Sequence, residues 1–227
     1  MVVIHRAVQA EDKAARRAAI LAAAQALIGH NPESFASVAE VAEAAGLAKG
    51  TVYLYFRTKE EIVLAVHAQH SAGLFARLDA TLAAHPDDLS PGHVATAFCA
   101  FVTENPVFLH VGAVCHSSFQ RNIEPEVMLQ FRAAIAERLG HFGPLLEERF
   151  PTLGNGDGVA LLQATYAFAL GMWQLCDPAQ KKARGIGARP ELEILNRDFR
   201  RDLYKGILSL WHGFLTPELA DQKENGA

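Results

Sequence analysis

Residues 37–59, SVAEVAEAAGLAKGTVYLYFRTK, constrain this chain more than any other stretch. Val38, Val41, Ala42 and Ala45 recur at the i, i+3, i+4, i+7 spacing of one helical face, and Ser37 with Glu40 matches the S-x-x-E capping box. A helix over 38–45 follows. Gly46 stands where a left-handed residue ends a helix, and Leu47 supplies the apolar contact after it. A second short helix is expected over 49–56, with Val52 and Phe56 inward and Lys49, Thr51, Tyr53 and Tyr55 spread over its outer faces. Two short helices around a tight glycine turn, the second carrying hydrogen-bond donors, have the form that enters a DNA major groove.

The run A-E-A-A-G-L-A-K-G-T-V-Y-L-Y-F-R-T-K-E-E-I resembles the tetracycline-repressor (TetR/AcrR) family of bacterial regulators. The resemblance implies an all-α fold: an N-terminal three-helix helix-turn-helix DNA-binding domain over 1–57, then a larger helical effector-binding and dimerisation domain over 58–227. It makes Ala42, Gly46 and Val52 the packing positions of the motif. Lys49 and Tyr53 become the expected base-edge contacts, and Ser37, Thr51, Tyr55 and Lys59 the phosphate contacts, with Gly50 opening the G-T-V-Y-x-Y-F part of the same surface. Two positions depart from the family pattern. Ala48 leaves the second helix without a capping side chain, and Ala39 offers only a methyl where some members carry a base reader.

The net charge of −4 fits a nucleic-acid binder only once it is divided along the chain. Residues 1–60 hold seven basic and six acidic side chains out of 21 and 25, so the acidic excess lies beyond them. A local basic contact surface on a chain that elsewhere repels DNA is the expectation. A 50% hydrophobic and 20% charged composition over 227 residues is that of a globular chain with ample core. Cys99, Cys115 and Cys176 have no C-x-x-C spacing and read as reduced, buried thiols, with a redox switch as the alternative. The N-terminus has no signal core, and the apolar run 159–175 is interrupted by Gln163, Thr165 and Gln174. A cytoplasmic protein with no membrane partner is expected.

Arg16 and Arg17 open an alanine-rich helix over 13–28 and face either a phosphate or solvent, while Phe35 is expected to pack beneath the motif. Thr58 and Glu61 form a second capping box, starting a helix through Ile62, Val66, Leu74, Leu78 and Leu82 to the break at Pro86. His67 and His70 lie three apart on it, without a third ligand in sequence, so no metal and no cofactor is expected. Ser90-Pro91 and Asn105-Pro106 predict helices over 91–104 and 106–118. A stripe from Met128 through Phe131, Ile135, Leu139 and Phe142 to Leu146 predicts another, kinked or ended early by Pro144. The glycines of 151–158 form a connector, and 177–190 a basic exposed loop. Helices over 159–176 and 191–214 each carry two apolar stripes, so each needs covering on both sides.

No hydrolase elbow, metalloprotease helix or dinucleotide fingerprint is present, and no enzymatic activity is expected. The resemblance implies a homodimeric repressor that binds double-stranded operator DNA and is released by a small, partly hydrophobic molecule. A ligand-independent architectural or co-regulator-dependent protein of the same fold is the alternative. Effector-pocket candidates are Phe98, Phe101 and Phe108 with His110; Met128 and Phe131; and Tyr166, Phe168 and Met172. Each also reads as plain core. Interface candidates on the last two helices are Phe168, Trp173, Leu203, Leu210 and Trp211, with the outward stripe left open by periodicity.

Overall fold

The computed structural model describes residues 2–31, 35–115, 121–176 and 189–216, with side chains from residue 11 onward. The expected end of the 106–118 helix, the basic residues Lys181, Lys182 and Arg184, and the tail from Pro217 lie outside the described residues. The described elements are helices and turns, with no strand among them. They fall into two compact units.

The first unit holds residues 1–70 and 110–129. Its α1, Val2–His30, begins well before the expected start because nothing in the alanine-rich lead breaks a helix. Ile20, Ala24 and Ile28 line its buried side. Next come α2, Val38–Ala44, which packs on α1, and α3, Lys49–Tyr53, which packs on α2. Val38, Val41, Ala42, Val52 and Phe56 fill the space between them. The long α4, Lys59–Ala84, starts here and continues into the second unit. All five residues of its expected stripe, Ile62, Val66, Leu74, Leu78 and Leu82, are buried.

The second unit holds residues 71–109 and 130–227. It contains α5, Pro91–Glu104; most of α7, Pro125–Arg149; α8, Asp157–Cys176; and α9, Phe199–Phe214. The short α6, Val107–Cys115, passes between units. The core is built where α9 packs on α8 and α5. Leu203, Ile207 and Trp211 of α9 meet Leu161 and Ala169 of α8 and Val94, Phe98 and Phe101 of α5. A buried hydrogen bond joins two of these helices: Trp211 Nε1 donates to Thr165 Oγ1 at 2.9 Å, and that hydroxyl donates to the Leu161 carbonyl at 2.7 Å. Glycines set the closest approaches. Gly158 of α8 lies directly on the Gly143 backbone of α7, and the Phe168 ring lies on Gly206 of α9.

Two expectations fail for physical reasons, and of the two alternatives at Pro144 the early end is excluded. Helix α7 runs through Pro144 to Arg149. Pro144 and Gly140, whose carbonyl loses its i+4 N–H partner there, are both exposed, so the freed acceptor is open to solvent. The helix expected over 191–214 is divided. A 3-10 turn, Pro190–Leu195, ends at Asn196, and α9 starts afresh under Asp198, whose side chain accepts from the Arg201 N–H at 3.0 Å. Leu195 is 51% exposed as a result. Finally, α3 is shorter than 49–56: Leu54 and Tyr55 tighten into i+3 bonds to Thr51 and Val52, which swings Phe56 into the core.

Candidate nucleic-acid interface

The interface is held by α2, its turn and α3. Ser37 caps α2 as its sequence requires: the Glu40 N–H donates to Ser37 Oγ at 3.3 Å, and the Ser37 N–H donates to Glu40 Oε2 at 2.8 Å. The Ser37 N–H, with the Ser37 hydroxyl as the smaller contribution, holds the Glu40 carboxyl below its ordinary pKa. Gly46 adopts φ +66°, the left-handed turn residue. Its N–H reaches the Glu43 carbonyl and the Leu47 N–H that of Ala42, closing α2 and starting the chain toward α3. Ala48 occupies the N-cap of α3 with no side-chain bond, leaving its first N–H groups free of any side-chain partner there.

On the outer side of α3, Lys49 and Gly50 are exposed, Tyr53 is 47% exposed, and Thr51 and Tyr55 are half-buried. Lys49 Nζ lies over the Tyr53 ring, 5.8 Å from its centroid, so the two lean together along one face. Lys59 is exposed at the start of α4, with its stem along an apolar cleft that includes Ile28, Val41 and Ile62. Thus Ser37, Lys49, Gly50, Tyr53 and Lys59 are open to solvent, and Thr51 and Tyr55 partly so. Arg17 lies over Phe56, 5.3 Å from the ring centroid, which ties α1 to the end of the reading segment.

The second capping box forms differently from its sequence expectation. The Glu61 N–H donates to Thr58 Oγ1 at 3.2 Å, but the Glu61 carboxylate reaches past Thr58 to the Arg57 N–H at 2.8 Å. Sequence inspection also missed what braces this junction. Arg57 Nη1 pairs with Glu124 at 2.6 Å, and Asn122 Nδ2 donates to Glu60 Oε1 at 3.1 Å, so the lead into α7 is tied to the start of α4 within the first unit. Contacts 60 residues apart leave no local signal.

The effector candidates separate. Phe98, Phe101 and Phe108 are buried, with the Phe101 and Phe108 rings edge-on at 5.5 Å and Tyr166 tilted 5.8 Å from Phe108. Phe131, Phe168 and Met172 are half-buried in the same unit. His110 and Met128 belong to the first unit, where His110 of α6 stacks on Phe35 at 5.2 Å. Among the interface candidates, Leu203 and Trp211 are 1% and 0% exposed and lie in the chain's own core, so they offer no surface to a partner. Phe168, Trp173 and Leu210 are half-buried, and Leu175, beside them on α8, is 64% exposed.

The described structure resembles solved regulators. It aligns with FadR from Bacillus subtilis in complex with stearoyl-CoA at TM-score 0.53 and 16% identity, over 88% of this chain and 97% of that one. The fatty acid degradation regulator FadR from Bacillus halodurans aligns at TM-score 0.51 and 18% identity, over 86% and 93%. A TetR family transcription regulator from Marinobacter aquaeolei VT8 aligns at TM-score 0.50 and 19% identity, over 88% and 97%. At these identities the likeness is one of fold. No curated protein matches the chain. The family model of bacterial regulatory proteins, tetR family, matches residues 20–66, and the tetracyclin repressor-like C-terminal domain matches residues 68–218. With both halves matched, the chain belongs to the TetR family of DNA-binding transcriptional regulators.

Proposed function

We propose that this regulator is a cytoplasmic homodimer that represses by binding a two-fold symmetric operator and is released by a partly hydrophobic effector. The observation that carries the reading is the exposed Lys49–Tyr53 face of α3, set on a glycine turn and a closed capping box. Residues 1–57 read DNA and residues 58–227 hold the effector and the dimer contact. Lys49 and Tyr53 address base edges, while Ser37, Thr51, Tyr55 and Lys59 address phosphates, with Gly50 allowing close approach of the backbone. Half-site centres then lie about 34–36 Å apart, or a multiple of that.

The effector enters among Phe98, Phe101, Phe108, Phe131, Tyr166, Phe168 and Met172, with the Tyr166 hydroxyl as the orienting group. The stearoyl-CoA of the Bacillus subtilis neighbour supports testing acyl thioesters first. Helices α8 and α9 supply the dimer contact. Composition supports this: α8 is long and apolar enough to cross a membrane, yet only 22% of that window is buried within the chain. A partner's helices at Trp173, Leu175 and Leu210 would cover what remains, the same patch serving both copies.

Mobility shift on DNA from upstream of the regulator's own gene tests the whole. Lys49→Ala is expected to change base preference at a cost of about 1–3 kcal/mol. Lys59→Ala weakens all sequences alike and lowers the salt slope by about one. Leu210→Glu gives helical monomers with only half-site affinity. Footprints without sequence preference refute operator reading, and operator complexes indifferent to every acyl compound favour the ligand-independent alternative.

A further inference from the structure

We propose that His85, Asp88 and His93 form a binding site for a divalent transition-metal ion of the zinc class at the corner between α4 and α5. The three residues lie within nine positions and converge because the corner is fixed at both ends. The His85 N–H still bonds the Leu82 carbonyl as α4 ends, and the chain turns through Pro86, Asp87 and Asp88. Ser90 then caps α5 by accepting from the His93 N–H at 3.3 Å, with Pro91 in the first turn. The Arg149 guanidinium donates to the Pro86 carbonyl and pins the turn from outside.

In this corner the His85 and His93 rings stack with centroids 3.7 Å apart and planes 16° from parallel. His85 Nδ1–H donates to Asp88 Oδ1 at 3.0 Å, and one donor atom from each residue lies within 4.8 Å of the other two. His93 Nδ1 is buried and makes no hydrogen bond among the described residues. A buried imidazole nitrogen left in that state costs free energy that an ion or water ordinarily offsets.

The donor set chooses the ion. Two imidazoles and one carboxylate suit zinc, cobalt, nickel or copper, whereas calcium and magnesium favour oxygen ligands throughout. Bonds of about 2.0–2.2 Å put tetrahedral donors roughly 3.3 Å apart, so ion binding draws the three donor atoms in from their separation of up to 4.8 Å. Three protein ligands leave a fourth position for water or an anion. Asp87 adds negative charge beside the turn, and Arg149 is the opposing cation, held on the Pro86 carbonyl.

The test uses the full chain stripped with chelator. Cobalt titration should give the visible d–d band of tetrahedral nitrogen and oxygen ligation at one ion per chain, displaced by zinc. His85→Gln and His93→Gln should each weaken binding roughly 100-fold, while His141→Gln, on the exposed face of α7, leaves it unchanged. Should either histidine variant fail to fold by circular dichroism, Asp88→Asn at an exposed turn position carries the same comparison. Absence of a cobalt band, or a band that survives both histidine substitutions or Asp88→Asn undiminished, overturns the site.

Discussion

Replacing Gly158 by alanine should destabilise the second unit, and the structure sets the size of the effect. A Cβ at Gly158 would stand 2.8 Å from the Gly143 carbonyl carbon and 3.0 Å from its Cα, and closer still to the carbonyl oxygen. These are backbone atoms of α7, so no rotamer change relieves the clash and the two helices must separate. Overpacking of that kind costs about 1–3 kcal/mol. Alanine returns at most about 1 kcal/mol of helix propensity, and less at the second position of α8. A net loss of about 1–2 kcal/mol, or roughly 2–8 °C in Tm for a chain of this size, is expected. Urea unfolding followed by far-ultraviolet circular dichroism, at fixed protein concentration because a dimer shifts with dilution, reads it as a lowered midpoint at constant slope. Gly140→Ala in α7 is the control: its Cβ meets nothing within 4 Å, so it should stabilise by about 0.5–1 kcal/mol. A Gly158→Ala midpoint at or above that of the wild type would refute the backbone contact.

Thr165→Val should cost about 1–3 kcal/mol by stranding the buried Trp211 N–H, with Thr165→Ser retaining most of the stability; equal midpoints for Val and Ser would contradict the bond. Hydrogen bonds from Ser37 to Glu40, and from Arg197 and Arg201 to Asp202, hold both carboxyls below their ordinary values. Each therefore adds stability that is complete above about pH 5 and lost as pH falls through the depressed folded value. Glu40→Gln and Asp202→Asn should flatten the acid limb of a stability-versus-pH curve, and an unchanged limb in both would argue against the pairs. Burial pushes the Cys115 thiol up to about 12 and that of Cys99 to about 11, so both remain protonated at pH 8. Iodoacetamide should label them slowly in the folded chain and promptly in denaturant; prompt labelling of folded Cys115 would show that the site opens.

Legibility followed the range over which each signal acts. The reading segment was readable because its determinants are local: Ser37 and Glu40 are three apart, Gly46 alone sets the turn, and Val38, Val41 and Ala42 repeat at helical spacing. The stripe of α4 was readable for the same reason. The break between Leu195 and Phe199 was missed although Asp198 is a good cap, because Leu195, Phe199 and Leu203 keep helical spacing across it and periodicity does not register a cap. Of the two outcomes open at Pro144, the helix does not end early, since the cost of the lost N–H depends on whether the Gly140 carbonyl is exposed, a property of the fold.

The two stripes of α9 show where sequence reasoning ends and packing begins. Leu203 and Trp211, separated by eight positions, take the inner side together with Ile207, and Leu210 is left half-buried. Nothing in the spacing distinguishes those sides, because all four residues are large and apolar. The choice is made by distant partners: Thr165 offers the acceptor that the Trp211 indole needs, and Gly206 admits the Phe168 ring at a point where any larger residue would push α8 away. Once Trp211 is fixed inward by its hydrogen bond, helical geometry carries Ile207 and Leu203 with it and turns Leu210 toward the rim. The polar contact thus adds a specific acceptor to the apolar packing that holds this side inward, so Thr165→Val tests that contribution to the facing as well as stability. If Thr165 selects it, the valine variant should loosen Trp211, seen as a red shift in its fluorescence, before the chain unfolds.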